Sequence, residues 1–295
     1  MRVGIVPVYR RRPSALHAAR AGMGLAFCGS LSLAVVLFEH PLVPLSVLAA
    51  AWTAGTLAGV ASELRRSLRL AVPFALLIVA INPIVSQQGD TLLVRGWEIL
   101  GHRWDVTLEA LAYGGVAGLR LVALLVTFGL LTACVDPDDL LRLFRRVSYR
   151  SALTAALATR LAPVLARDAL RMGDAARCRA VPAGRAAVAR AALANALDRA
   201  VDVAAALEVR GYAGARRPAR VRSPWSRHDM RVGVAALAIA AGAVAAKAGG
   251  AFAFEAYPSL IAPAGPVEMT VALALPLAAA APLAGRASRL GVARA

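Results

Sequence analysis

Charge and aromatic rings are both scarce in this chain. Only 17% of its 295 residues are charged and 5% aromatic, whereas a soluble domain carries about a quarter charged residues. Apolar residues reach 59% and the mean hydropathy is +0.63, so the composition belongs to a membrane protein. The three cysteines, Cys28, Cys134 and Cys178, lie two in or beside apolar runs and one in a basic segment, which excludes a disulfide framework. The four histidines, His17, His40, His102 and His228, are scattered, and none pairs with Cys or Asp at metal-ligand spacing. Acid is short relative to base, and the net charge is +17. Nucleic acid is not the reason: no nucleic-acid motif accompanies the charge, aromatics are few, and the basic residues sit between apolar runs. No phosphate loop of the Gly-x-x-x-x-Gly-Lys-Ser/Thr type occurs, so the chain is not expected to hydrolyse ATP. No Ser/His/Asp or Cys/His set stands out either.

What is abundant is long apolar sequence. A helix needs about 20 mostly apolar residues to cross the hydrocarbon core. Six runs approach or meet that length, roughly 21–38, 42–62, 70–87, 108–134, 232–250 and 267–285. The first follows Arg10-Arg11-Arg12 but leads into Phe38-Glu39-His40-Pro41 with no small-x-small cleavage site, so it reads as a retained span. The second holds Pro44, Thr53 and Gly55 and suits a tilted or broken helix. The last rests on length and apolarity alone. In the loop 88–107, Gly89-Asp90 reads as a turn, and Trp97 and Trp104 suit a membrane interface.

Topology follows from the basic residues. With a cytoplasmic N-terminus, all 34 Lys and Arg except Arg95, Arg103, Arg120 and Lys247 fall on inside segments. That is a strong positive-inside pattern, and it puts both termini in the cytoplasm. The chain then divides into N-terminal transmembrane helices (1–134), a cytoplasmic segment (135–231) and C-terminal transmembrane helices (232–295). Arg120 is the exception inside a span. An Arg near the bilayer centre costs about 2.5–3.5 kcal/mol on insertion scales, so it must face protein, water or a partner. Two roles stay open: packing against backbone carbonyls, or a place in a transport path.

The cytoplasmic segment opens at Asp136-Pro137-Asp138-Asp139. Asp136 is a good N-cap, Pro137 fits the first helical position, and Asp138 and Asp139 complement the positive helix end. Leu140, Leu141, Leu143 and Phe144 then alternate with Arg142, Arg145 and Arg146, an amphipathic helix for a membrane surface or a partner groove. A second helix spans 151–180 and turns basic from Arg167. Pro182 cannot continue it and biases Val181 away from helical geometry, so Cys178-Arg179-Ala180 falls in its last turn. A third runs from about Ala186 to Val209, with Gly211 as a left-handed cap and Val209-Arg210-Gly211 at its tip. Asp168 and Asp174 sit among arginines and read as solvated pairs. One Arg at a helix end is usually a dipole complement. Two such tips on successive cytoplasmic helices point to docking, because a guanidinium forms bidentate bonds to a carboxylate in an acidic groove.

The order of these features resembles the transmembrane T component of energy-coupling factor (ECF) transporters, the EcfT/CbiQ family. The matching pieces are His40-Pro41, Ile81-Asn82-Pro83, Gly118-Leu119-Arg120, Asp136-Pro137-Asp138-Asp139-Leu140-Leu141, Arg160-Leu161-Ala162-Pro163 and the two tips. Ala206-Leu207-Glu208-Val209-Arg210-Gly211-Tyr212 looks like a family signature. The family's usual Ala-Arg-Gly stands here as Cys178-Arg179-Ala180 and Val209-Arg210-Gly211, so the first tip lacks the capping Gly. The resemblance implies an all-α polytopic membrane protein of about six transmembrane helices with a cytoplasmic segment of amphipathic coupling helices. It implies a bacterial plasma-membrane location and a non-catalytic role between two cytosolic ABC-type ATPases and a membrane-embedded substrate-binding S component. Arg179 and Arg210 match the motif arginines that enter the ATPases. ATP and Mg would be bound by those partners and no cofactor by this chain, and the cargo would be a vitamin or a transition-metal ion.

Other classes remain open to the residues alone. An ordinary ABC permease usually has one coupling helix where this chain has two, and a secondary transporter would work without ATPases. An integral membrane enzyme or assembly factor would need converging titratable groups. Asp136, Asp138, Asp139 and Glu208 are the available ones, and they read as caps and helix-face charges.

Overall fold

The computed structural model describes residues 9, 12–85, 91–94, 98–99, 102–103, 106–144, 149–179, 184–211, 225–252 and 265–283. Their helices are α1 (Ala15–Ala18), α2 (Ala21–Leu37), α3 (Leu42–Leu57), α4 (Ala61–Val85), α5 (Leu108–Cys134), α6 (Pro137–Phe144), α7 (Tyr149–Arg177), α8 (Arg185–Val209), α9 (Arg227–Ala248) and α10 (Pro266–Ala280). The protein is a helical, polytopic membrane protein. Between α4 and α5 lie four strands of two or three residues, β1 (Leu92–Val94), β2 (Glu98–Ile99), β3 (His102–Arg103) and β4 (Val106–Thr107). They pair antiparallel as β1 with β4 and β2 with β3. The sequence reading had no strands there. Gly89, Asp90, Trp97 and Trp104 lie outside the described residues.

Two compact units divide within α6, after Leu140. The first comprises Met1–Leu140 and Trp225–Ala295, the second Leu141–Pro224.

In the first unit α5 packs along α4 and also meets α2 and α3, while α9 lies on α2 and α10 on α3. The core is built from Phe27, Leu31 and Val35 of α2, Val47, Ala50, Ala51 and Ala54 of α3, Leu64 of α4, and Val126 and Leu130 of α5. Small residues set the spacing. A Cβ on Gly114 would lie 3.0 Å from Asn82 Cβ and 3.3 Å from Val79 Cα, and one on Gly118 3.1 Å from the Ala75 carbonyl oxygen. Gly114 and Gly118 are one turn apart, so α4 and α5 approach through a small-xxx-small face. Asn82 locks the pair, its Nδ2 donating to the Ala110 carbonyl at 2.6 Å.

The helices differ from the sequence reading first at α3 and α4. α3 is a single unbroken helix, because Pro44 stands at its third residue, where no backbone N–H is needed. α4 begins at Ala61 and takes in Arg65, Arg66 and Arg69, which lie on the inside segment between the apolar runs 42–62 and 70–87. Arg is a good helix former. Glu63 in the first turn complements the helix dipole and pairs with Arg12 at 2.6 Å.

Outward faces are apolar. Phe74, Leu76 and Leu77 of α4, Val234 and Leu237 of α9, and Leu273 and Leu277 of α10 are all exposed. Two helices, Leu108–Cys134 and Arg227–Ala248, are long and apolar enough to cross a membrane by length and composition, and Ala21–Leu37, Leu42–Leu57 and Glu268–Ala280 are shorter apolar helices. At 1.5 Å per residue α5 is about 40 Å long and α10 about 22 Å.

A polar knot fixes the starts of α2 and α9. The Asp229 carboxylate is 2% exposed; it accepts from the Arg20 backbone N–H at 2.7 Å and faces Arg20 Nε at 3.3 Å. It also accepts from the Ser226 backbone N–H at 2.9 Å, while Ser226 Oγ accepts from the Asp229 N–H at 3.1 Å. That capping box starts α9 five residues earlier than apolarity alone suggests.

Candidate functional site

The second unit holds α7 and α8. α7 runs unbroken from Tyr149 to Arg177 with Pro163 inside it. Among its half-buried residues, Leu157, Leu161, Val164, Asp168, Met172 and Ala176 recur every three or four positions. On α8 the matching row is Val188, Ala192, Asn195, Arg199, Val203 and Leu207. The two helices pack against each other. Asp168 Oδ1 lies 3.8 Å from Arg171 and Asp174 Oδ1 3.2 Å from Arg177, the expected pairs along one helix. Asp168 Oδ2 also reaches Arg199 of α8 at 3.6 Å, a contact that no single-helix reading could supply.

The tips lie at the ends of these helices. α7 stops at Arg177, so Cys178 and Arg179 follow the last turn rather than forming it. The Cys178 N–H bonds back only three residues, to the Ala175 carbonyl at 3.2 Å, which tightens the helix off. Ala180 lies outside the described residues, as do Pro182 and Tyr212. α8 ends at Val209, with Arg210 as C-cap bonding to the Ala206 carbonyl at 3.2 Å. Gly211 has φ +72°, the left-handed geometry that terminates a helix at no steric cost to glycine. Cys178, Arg179, Val209, Arg210 and Gly211 are all exposed. Neither tip guanidinium meets a carboxylate among the described residues.

Their separation follows from chain geometry. Each tip lies about 15 Å beyond the Asp168–Arg199 pair along its own helix. If α7 and α8 ran parallel, Arg177 and Arg185 would stand about 35 Å apart, more than the linking residues can span even when extended. The helices therefore cross at roughly a right angle or run opposed. Their C-terminal ends diverge, and the two arginines stand more than about 20 Å apart.

The remaining site residues fall in the first unit. Asp136 precedes α6 and its carboxylate accepts from the Asp138 N–H at 2.9 Å, while its carbonyl accepts from Leu140 at 3.0 Å. Pro137 is the first helical residue. Arg120 sits midway along α5, where Nη2 donates to the Val36 carbonyl at 3.1 Å and Nη1 lies 3.9 Å from Glu39. Val36 is in the last turn of α2, so the guanidinium satisfies an orphan carbonyl at the negative end of that helix. Of its two alternatives, packing has an identified partner. No group of three or more His, Cys, Asp or Glu able to hold a metal occurs among the described residues.

A helical unit with apolar outward faces and a second helical unit with two exposed basic tips suit a component of a membrane transport system. Comparison with known proteins gives the same class: residues 13–220 match the CbiQ family, described as cobalt transport protein. The chain belongs to that family. No curated protein matches it.

Proposed function

We propose that this chain is the transmembrane coupling subunit of an ECF-type importer, with Arg179 and Arg210 entering grooves on two separate cytosolic ABC-type ATPases. One observation carries the reading: two exposed guanidinium tips, meeting no carboxylate among the described residues, stand more than about 20 Å apart at the diverging ends of two helices of one compact unit. Two pegs so spaced suit two subunits. ATP binding and hydrolysis in the ATPases move α7 and α8, and that motion reaches a membrane-embedded substrate-binding S component. The family's description favours a cobalt ion as cargo. ATP and Mg are held by the ATPases, and this chain binds no cofactor. The arginine distribution supports a bacterial plasma-membrane subunit with both termini in the cytoplasm.

Co-purification tests the docking. Arg179→Glu with Arg210→Glu places like charge against each acidic groove, and losing one charged partner of a buried pair costs about 2–5 kcal/mol. The double variant should lose its ATPases while each single variant keeps one contact and binds more weakly. Undiminished recovery of ATPases with the double variant would refute the proposal.

A further inference from the structure

An apolar cavity of about 120 Å³ lies in the first unit between α2, α3, α9 and α10. Ile239, Gly242, Ala243 and Ala246 form its α9 wall, the Phe38 and Phe252 rings, in edge contact with centres 5.2 Å apart, also line it, and α10 supplies Ala274. Its one hydroxyl is Ser46, whose Oγ donates to the Val43 carbonyl at 2.8 Å and so is already satisfied. Water needs two to four polar partners to stay in such a space, so an apolar guest suits it better. The space exists because α9 and α10 present Ala and Gly where Leu would fill it. A Cβ on Gly242 would meet nothing within 4 Å.

A single cation stands at one end of the cavity. Lys247 is the chain's one lysine among 34 basic residues. It is exposed, its Nζ lies 5.8 Å from the centre of the Phe38 ring, and it meets no carboxylate among the described residues. Lys247 lies about 30 Å along α9 from Arg227, one hydrocarbon thickness, so whichever way α9 runs the two residues mark the two membrane boundaries. From Lys247 the α9 wall descends through Ala246, Ala243, Gly242 and Ile239 to Ala238, about 13 Å into the hydrocarbon.

We propose that this cavity binds one acyl chain of an anionic phospholipid whose phosphate rests on the Lys247 ammonium. The Lys247 ammonium beside Phe38 supplies charge complementarity to a lipid phosphate, which selects an anionic lipid over an apolar solute. A lipid anion near a surface cation gains about fivefold in affinity. The bound chain replaces missing side-chain contacts between α9, α10 and the α2–α3 pair.

The test uses the full chain in nanodiscs of phosphatidylcholine doped with phosphatidylglycerol, then extracted and read by native mass spectrometry. Wild type should retain one phosphatidylglycerol. Lys247→Gln should retain about fivefold less, with little preference over phosphatidylcholine. Gly242→Leu, whose Cβ meets nothing within 4 Å and whose isobutyl group takes up cavity space, should retain neither lipid at that site, and Ala274→Leu should do the same from the facing helix. An amine-reactive reagent supplies a second readout, because Lys247 is the only side-chain amine. Phosphatidylglycerol should slow its labelling in wild type and not in Gly242→Leu. Equal retention of both lipids by wild type, or undiminished retention by the two cavity-filled variants, would overturn the proposal.

Discussion

Gly114 and Gly115 are adjacent in α5, yet the structure gives them opposite responses to one added methyl group. Alanine at either position gains about 0.8–1 kcal/mol of helix propensity over glycine. At Gly115 the new Cβ meets nothing within 4 Å, so Gly115→Ala should be neutral or slightly stabilising. At Gly114 it lands 3.0 Å from Asn82 Cβ and 3.3 Å from Val79 Cα. Val79 Cα is backbone and cannot rotate aside, so α4 must shift. Overpacking of this kind costs about 1–3 kcal/mol. The shift also strains the Asn82–Ala110 hydrogen bond, and interhelical bonds in membranes average about 0.6 kcal/mol. The two variants share chain context and propensity gain, so their difference isolates packing and should come to about 1.5–3.5 kcal/mol. At about 2–4 °C per kcal/mol, melting temperatures in one detergent should differ by roughly 3–14 °C, Gly114→Ala being lower. Equal melting temperatures would refute the claim that α4 and α5 are held at contact distance through this face.

Further outcomes follow from the polar knot and from the thiols. Asp229→Ala removes three acceptor contacts and the capping box at once, and caps and charged hydrogen bonds together suggest a loss of about 2–4 kcal/mol; thermal melts in detergent should show it, and Trp225 fluorescence should change because Arg20 sits 5.5 Å from that ring. Maleimide should label exposed Cys178 rapidly in the native protein, whereas buried Cys28 and Cys134 should react only on unfolding. If the docking proposal holds, bound ATPases should protect Cys178; labelling at an unchanged rate in the assembled complex would count against docking at that tip.

Much of the architecture is legible in sequence because it depends on solvation and local geometry. Apolar runs mark helices α2, α3, α5, α9 and α10, since hydrocarbon demands both apolar side chains and internally satisfied backbone. Asp136-Pro137 marks the start of α6 and Gly211 the end of α8, because capping involves only neighbours in the chain. The capping box Ser226-x-x-Asp229 was equally readable and would have moved the start of α9 back to Arg227. The early start of α4 escapes a hydropathy window because Arg65, Arg66 and Arg69 lower the local mean, although arginine favours a helix. The small strands before α5 carry too short a pattern for any periodicity to register.

Through the arginine pattern, the apolar runs and the motifs that mark the CbiQ family, the sequence by itself determined a helical membrane chain with a basic, two-tipped segment. Those features depend on each residue's own solvation and on its near neighbours. Only the tertiary structure decided which residues meet across helices: Arg120 with the end of α2, Asp168 with Arg199, Asp229 with Arg20, and the glycines of α5 with α4. Such contacts depend on how separate helices pack, and packing is a property of three-dimensional surfaces that no periodicity along one chain encodes.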